Sequence, residues 1–216
     1  MRTKAQIIEQ LLNPGIIAVV RAKRTDQAVP LTEALVAGGI IAVEITMTTP
    51  NAIAAIREVS AKVGDRALIG VGTVLDETTC RAAIDAGAQF IVSPICRREL
   101  VPIAHQAGKP IMLGAYTPTE AQVAHEAGSD FIKIFPADGL GPNYIKALRA
   151  PLPHLRLVPT GGVDLKTIAD FFKAGCVAVG AGSSLISKDI LDRDDWATLT
   201  RTATAFVQAA KAARGG

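Results

Sequence analysis

The chain has 216 residues, of which 49% are hydrophobic, so it is long enough to bury a sizeable core. Its 23 basic residues nearly balance its 20 acidic residues and form no basic block or stripe, which argues against nucleic acid and favours a small-molecule partner. Because no apolar run reaches the ~18 residues of a membrane-spanning helix, we expect no membrane partner either.

The first predicted element is a short amphipathic helix within residues 1–15, which ends at Pro14 and Gly15. Its glutamate and glutamine residues stand where a signal peptide would need an apolar stretch. The cysteines, Cys80, Cys96 and Cys176, are odd in number and too far apart for a zinc knuckle. We therefore expect reduced thiols in a cytoplasmic protein.

Apolar runs then alternate with helical segments along the rest of the chain. These runs cover residues 16–21, 40–47, 67–74, 90–94, 110–116, 131–137, 155–162 and 177–184. Continuously apolar strands are typical of a parallel sheet covered by helices. The alternation predicts an α/β fold, a (β/α)₈ TIM barrel with a short extra N-terminal helix, in which residues 1–216 form a single domain. A doubly wound open sheet also alternates, but the glycine fingerprint expected after its first strand is missing.

The predicted helix boundaries agree with this alternation. Thr117 can cap a helix that has Pro118 at its first position and Glu120 completing a capping box. Two helices are expected to end near Gly64 and Pro151. Ala-Gly pairs end the others, because glycine readily adopts the left-handed conformation that ends a helix. The glycines of these pairs are Gly38, Gly87, Gly108, Gly128 and Gly175.

A lysine interrupts the apolar run FIKIF, residues 131–135, in the sixth predicted strand. Strand side chains alternate in direction, so Phe131, Lys133 and Phe135 share one face and the two isoleucines share the other. If the isoleucines face the helices, Lys133 points into the barrel. Burial disfavours the ammonium form, which leaves more free amine to attack a carbonyl and form a Schiff base. The alternative is a lysine whose stem packs while its head reaches water.

Glu44, in the second predicted strand, can face the same interior. Ala42, Glu44 and Thr46 alternate with Val43 and Ile45. A carboxylate within reach of a nucleophilic lysine can shuttle protons while the imine forms and breaks down. The alternative is a structural salt bridge, which is costly to desolvate.

Glycines follow the seventh and eighth predicted strands, where barrels of this type commonly bind phosphate. Gly161 and Gly162 after one strand, and Gly182 and Ser183 after the next, offer unhindered backbone N–H groups and a hydroxyl. Tight turns without a ligand are the alternative.

Together these motifs resemble the class I 2-keto-3-deoxy-6-phosphogluconate (KDPG) aldolases, whose members often also cleave 4-hydroxy-2-oxoglutarate (KHG). The resemblance runs through AVVR, AGGIIAVEIT, IGVGTV, FIVSP, TPTEA, FIKIFPA, GPNYIKAL, VPTGGV and VGAGSSL. It implies reversible cleavage of a phosphorylated 2-keto-3-deoxy sugar acid into pyruvate and glyceraldehyde 3-phosphate. It also implies a homotrimer that uses no metal and no organic cofactor.

The resemblance assigns roles by motif match. Lys133 corresponds to the Schiff-base lysine and Glu44 to the general acid/base. The residues expected to line the pyruvate pocket are Thr73, Pro94 and Phe135. Those expected to hold the distal part of the substrate and its phosphate are Thr160, Gly161, Gly162 and Ser183.

One position departs from the family pattern. Some relatives carry an arginine four residues after the glutamate, where it would grip the pyruvate carboxylate, but this chain has Thr48. Arg21 is the candidate replacement, since arginine can pair with a carboxylate through two hydrogen bonds. The alternative is a solvated arginine on the barrel rim. The preferred C4 epimer, gluconate or galactonate, therefore stays open.

Two other classes of protein remain possible on the sequence. A phosphosugar isomerase or epimerase would share the glycine phosphate site, but it usually depends on metal ligands or paired acidic residues. No metal site is expected here, because His105, His125 and His154 fall on helices or at a helix end. A non-catalytic ligand-binding barrel is the other alternative.

Overall fold

The computed structural model describes residues 2–215; Met1 and Gly216, the ends of the predicted domain, lie outside the described residues. The strands are β1 (Ile16–Val20), β2 (Ala42–Thr46), β3 (Leu68–Gly72), β4 (Phe90–Val92), β5 (Ile111–Ala115), β6 (Phe131–Ile134), β7 (Leu157–Pro159) and β8 (Val179–Ala181). The helices are α1 (Lys4–Leu12), α2 (Ala28–Ala37), α3 (Ala52–Val63), α4 (Glu77–Asp85), α5 (Leu100–Gln106), α6 (Pro118–Glu126), α7 (Gly141–Arg149), α8 (Ile168–Lys173), α9 (Lys188–Arg193) and α10 (Trp196–Ala213).

The strands form one parallel sheet in the order β7-β6-β5-β4-β3-β2-β1-β8. A bridge between Thr160 and Gly180 joins the two ends and nearly closes the sheet into a barrel. The predicted (β/α)₈ architecture is confirmed, and each predicted apolar run contains one strand. Assignment of the whole chain to one domain stays a prediction.

The barrel has a distinct inner and outer apolar surface. The alternation of each strand decides which side chain lies on which surface. Ile132 and Ile134 belong to the outer cluster that packs under the helices, while Phe131 belongs to the inner cluster. The prediction that the isoleucines of FIKIF face the helices is therefore confirmed, and Lys133 points inward.

Helix α1 covers the N-terminal end of the barrel. Ile7 and Leu11 are buried in the inner cluster with Leu68 and Phe131, which begin β3 and β6. Lys4 Nζ lies 2.7 Å from Asp130 Oδ1, which ties the helix to the residue that precedes β6. With this end of the barrel covered, the C-terminal ends of the strands are left for a site.

Most helix boundaries follow the predicted signals. Thr117 and Glu120 form the expected capping box, and α7 ends at Arg149, before Pro151. Positive φ angles mark Gly87, Gly108, Gly128 and Gly175. Helix α2 ends at Ala37 as predicted, but the left-handed conformation expected of Gly38 is wrong, because its φ is −82° and the next residue, Gly39, has φ 91°. Two consecutive glycines allow the turn to fall one residue later.

Among residues 2–215, no helix combines the length and the apolar character needed to cross a membrane.

Candidate active site

Lys133 and Glu44 meet inside the barrel. Lys133 Nζ lies 3.7 Å from Glu44 Oε1, and only 6% and 3% of the two side chains are exposed. This separation is longer than a normal hydrogen bond but short enough for strong electrostatic attraction. Lys133 Nζ also lies 5.0 Å from the centre of the Phe135 ring. The structure thus brings together an amine and a carboxylate from strands β6 and β2 in surroundings with little water.

Glu44 has an unused acceptor. Within the described part of the chain, no donor reaches Glu44 Oε1, although the atom is buried. A buried carboxylate oxygen without a donor is energetically costly, and a catalytic role is one of the reasons for which such an atom is retained. A reacting group between Lys133 and Glu44 could deliver its proton to this oxygen.

Glycines on neighbouring strands make the space for these side chains. A Cβ atom on Gly72 would lie 1.9 Å from Glu44 Oε1, and one on Gly114 would lie 2.1 Å from the backbone of Pro94. Gly114 is also the register partner of Lys133. Sequence analysis gave Gly72 and Gly114 no role. Gly72 ends the segment IGVG, and Gly114 is the fourth residue of IMLGA. Their only sequence signal is that both glycines stand at inward-facing strand positions, where other strands carry large side chains.

Two of the three residues predicted to line the pyruvate pocket, Thr73 and Pro94, follow the C-terminal ends of β3 and β4. Thr73 has φ 62°, a left-handed conformation that is unusual for a β-branched residue and costs about 1–3 kcal/mol. Such strain is commonly found at ligand sites. The backbone of Pro94 packs against Gly114, which is the register partner of Lys133 in the neighbouring strand.

A cavity of about 640 Å³ opens at the C-terminal ends of β1, β6, β7 and β8. The predicted site residues among its lining are Arg21, Phe135, Thr160, Gly161, Gly162, Gly182 and Ser183. Lys133, Glu44, Thr73 and Pro94 are not among the lining residues, although Phe135 contacts both the cavity and the lysine. The predicted residues therefore fall into an inner group around Lys133 and an outer group around the cavity.

The glycine turns of the outer group present backbone donors. Gly161 and Gly162 have φ angles of 100° and 67°, which only glycine adopts without strain. No N–H group of Gly161, Gly162 or Ser183 donates to another residue of the 2–215 segment. Gly180 makes room for Thr160, since a Cβ on Gly180 would lie 2.2 Å from Thr160 Oγ1. The arrangement suits an anionic ligand group.

Around Thr48, the structure shows hydroxyl groups in place of a cation. Thr46 Oγ1 donates to the Val20 carbonyl at 3.0 Å, and Thr46 and Thr48 share a hydrogen bond of 2.7 Å. Val19 of β1 pairs in register with Glu44 of β2. Arg21 comes two residues after Val19, just beyond the end of β1, the strand that neighbours β2. Arg21 is exposed and lines the cavity.

The sequence missed four charged residues of the cavity: Lys23, Asp138, Asp164 and Lys188. Desolvation acts to raise the pKa of the Asp164 carboxyl, but hydrogen bonds from the backbone N–H groups of Lys166 and Thr167 together outweigh it, so the pKa is lowered. Only proximity in sequence to Arg21 and Phe135 could have indicated Lys23 and Asp138. Lys188 begins α9 and carries no sequence signal.

Residues 2–215 contain no group of three or more His, Cys, Asp and Glu side chains placed to hold a metal ion. His105 contacts Asp130 at 3.0 Å near α1, and the rings of His125 and His154 lie 4.7 Å apart. All three histidines are thus occupied away from the cavity.

Comparison with known proteins decides the family. The model of the "KDPG and KHG aldolase" family matches residues 7–202.

The chain belongs to the KDPG and KHG aldolase family.

This aldolase chain is similar to several individual members. It is 38% identical to a 2-dehydro-3-deoxy-phosphogluconate aldolase of Pseudomonas aeruginosa, with 86% of this chain and 84% of the relative covered. It is 39% identical to a 2-dehydro-3-deoxy-6-phosphogalactonate aldolase of Escherichia coli, with 79% and 83% covered. The KDPG aldolase from Legionella pneumophila, solved with pyruvate captured as a covalent carbinolamine, superposes with a TM-score of 0.83 at 30% identity, covering 93% of this chain and 98% of that one.

Proposed function

We propose that this chain is a class I aldolase that reversibly cleaves KDPG into pyruvate and D-glyceraldehyde 3-phosphate. The observation that carries the proposal is the buried Lys133 amine, 3.7 Å from the buried Glu44 carboxylate. Membership of the KDPG and KHG aldolase family supports the same reaction. The curated relative from Pseudomonas aeruginosa carries this activity in its name.

Lys133 is the proposed nucleophile. Its neutral amine attacks the C2 keto carbon to form a carbinolamine, and loss of water gives a protonated imine. When the C3–C4 bond breaks, its electron pair flows toward the imine nitrogen and leaves an enamine on the pyruvate fragment. The C4 hydroxyl loses its proton and becomes the carbonyl of the departing aldehyde. Protonation at C3 and hydrolysis of the imine then release pyruvate and restore the amine.

Glu44 is the proposed proton carrier for these steps. Its Oε1 atom is buried and free of other donors, so it can accept the C4 hydroxyl proton directly or through water. The same carboxyl group can return a proton to C3 of the enamine. Carbinolamine formation and dehydration need proton transfers at the same place, which one carboxylate beside the amine can serve.

The remaining predicted residues take binding roles in this proposal. Thr73, Pro94 and Phe135 line the pyruvate part of the substrate. The phosphate occupies the cavity beside the turns of β7 and β8, where Thr160, Gly161, Gly162, Gly182 and Ser183 surround it. Arg21 pairs with the C1 carboxylate of the substrate and takes the place of the arginine that some relatives carry at the position of Thr48.

The first experiment is incubation with pyruvate and borohydride, followed by peptide mass spectrometry. We expect a reduced pyruvyl adduct on Lys133. Lys146, on helix α7, is a reference lysine in the same digest and should remain unmodified. Folded protein without an adduct at Lys133 would refute the Schiff-base mechanism.

A second candidate substrate is the galactonate epimer, 2-keto-3-deoxy-6-phosphogalactonate. The 39% identity to the Escherichia coli galactonate aldolase favours it, and the threonine at position 48 leaves the preferred epimer open. KHG is a further candidate, which would yield pyruvate and glyoxylate. Comparing kcat/KM for the three substrates decides among them. A chelator tests the isomerase alternative, because a Schiff-base aldolase keeps its activity when metal ions are removed.

We also propose that the protein is a cytoplasmic homotrimer. Leu75, Ile95 and Tyr116 are 44%, 44% and 46% exposed, and they follow the successive strands β3, β4 and β5. Exposed apolar side chains grouped in this way favour a protein interface. Light scattering after gel filtration should give three times the chain mass, and Ile95→Glu should lower it. An unchanged mass for Ile95→Glu would move the interface elsewhere.

A further inference from the structure

Two lysines and one aspartate form a charged cluster at the mouth of the cavity. Lys23 follows β1, while Lys188 and Asp192 lie one helical turn apart on α9. Lys23 Nζ contacts Asp192 Oδ1, and Lys188 Nζ lies 2.7 Å from Asp192 Oδ2. One carboxylate therefore bridges two ammonium groups, and we call these three residues the Asp192 cluster. Neither the Schiff-base chemistry nor the glycine turns use it.

Two residues of the Asp192 cluster line the cavity. Lys23 and Lys188 both line the cavity that Gly162 and Ser183 also line. The cationic side chains of the lining are Arg21, Lys23 and Lys188, and its carboxylates are Asp138 and Asp164. Asp192 does not belong to the lining. Lys23 and Lys188 thus line the cavity, while both of their ammonium groups contact a carboxylate that lies outside the lining.

The ion pairs of the Asp192 cluster are weak enough to exchange partners. The side chains of Lys23, Lys188 and Asp192 are 39%, 80% and 38% exposed, and exposed pairs of this kind contribute little net stability. The hydrogen bonds from Lys188 and then Lys23 lower the pKa of Asp192 to about 2, so the carboxylate stays charged at neutral pH. A phosphate dianion carries more charge than one carboxylate and offers three acceptor oxygens.

We propose that Asp192 is a placeholder counterion, which holds Lys23 and Lys188 at the cavity mouth until the phosphate of the substrate takes over both ammonium groups. The two lysines are specificity-determining residues for phosphorylated substrates, in addition to the backbone donors of the glycine turns. This inference rests on the proposed function, because it assigns the phosphate end of that substrate. It predicts that replacing either lysine weakens the binding of a phosphorylated substrate, whereas replacing Asp192 strengthens it.

The test compares KDPG with 2-keto-3-deoxygluconate, which differs only by the phosphate. We expect Lys188→Ala and Lys23→Ala each to lower kcat/KM for KDPG by about tenfold, and to change it less than twofold for the unphosphorylated analogue. We expect Asp192→Asn to lower the KM for KDPG about threefold at low ionic strength, since the lysines then lose their competing partner. Lys62→Ala, from an exposed Lys62–Glu58 pair on α3, is the matched control and should change neither substrate.

Binding of inorganic phosphate, measured by isothermal titration calorimetry, reports on the same lysines without turnover. We expect weaker phosphate binding for Lys188→Ala and tighter binding for Asp192→Asn. The proposal is overturned if both lysine variants lose activity equally on both substrates, if Asp192→Asn weakens KDPG binding, or if phosphate binding does not change. Wild-type protein that forms no pyruvate adduct would instead refute the proposed function. The calorimetry measures phosphate binding without turnover, so the two failures can be distinguished.

Discussion

Replacing Gly72 by alanine should disable proton transfer without removing any proposed catalytic group. The new Cβ would lie 1.9 Å from Glu44 Oε1, 2.6 Å from its Cδ and 2.7 Å from its Cγ. Contacts below 3.0 Å essentially never occur for a real Cβ, so the two groups must separate by 1.1 Å or more, which is 3.0 minus 1.9, and the carboxylate oxygen is the group nearest to the new atom. Because Gly72 has no left-handed φ, the effect is steric and alanine fits the backbone.

The size of the effect follows from this displacement. A misplacement of about 1 Å in a reacting group commonly costs on the order of 100-fold in rate. Overpacking a tight interior costs about 1–3 kcal/mol, which lowers the Tm of a domain of this size by roughly 2–12 °C. We therefore expect a folded protein with about 1% of the wild-type turnover.

The assay is exchange of the pyruvate methyl protons with deuterium, followed by NMR, because this exchange needs both the imine and the proton carrier. We expect Gly72→Ala to exchange about 100-fold more slowly, while borohydride trapping after long incubation still labels Lys133. Gly139→Ala is the control, since a Cβ there meets nothing within 4 Å. Wild-type exchange by Gly72→Ala at an unchanged Tm would show that the Glu44 carboxylate does not carry the proton.

Three further predictions concern single side chains. Lys133→Met should lower turnover by at least about 10⁴-fold with an unchanged circular dichroism spectrum; substantial remaining activity would exclude the Schiff base. Arg21→Ala should raise the KM for pyruvate in the exchange reaction by about tenfold, and an unchanged KM would make Arg21 a rim residue. Burial raises the pKa of Cys80 to about 11 and that of Cys176 to about 12, so iodoacetamide at pH 8 should label Cys96 first by peptide mass spectrometry. Equal labelling of all three cysteines would contradict the buried positions of Cys80 and Cys176.

Local sequence patterns were sufficient to predict the secondary structure and the inward direction of two key side chains. The strand period of two separates Lys133 from Ile132 and Ile134, and the same period turns Glu44 inward from β2. The capping box at Thr117 depends only on residues three positions apart. Gly38 was misjudged because a neighbouring glycine competes for the same turn, a choice that local sequence leaves open.

Contacts between distant segments could not be predicted in this way. Lys23 and Asp192 are 169 positions apart, and only the meeting of β1 with β8 brings α9 over the loop that carries the lysine. The importance of Gly72 was equally hidden, since the side chain that fills its space comes from another strand.

The sequence by itself determined the alternating strands and helices and the side of each strand that faces inward, because these depend on backbone periodicity and on caps within a few residues. Only the tertiary structure decided the 3.7 Å approach of Lys133 to Glu44, the space left by glycines and the composition of the cavity mouth. These features depend on which strands become neighbours and with what register when the sheet closes. Closure is a property of the whole barrel, and no short segment of the chain encodes it.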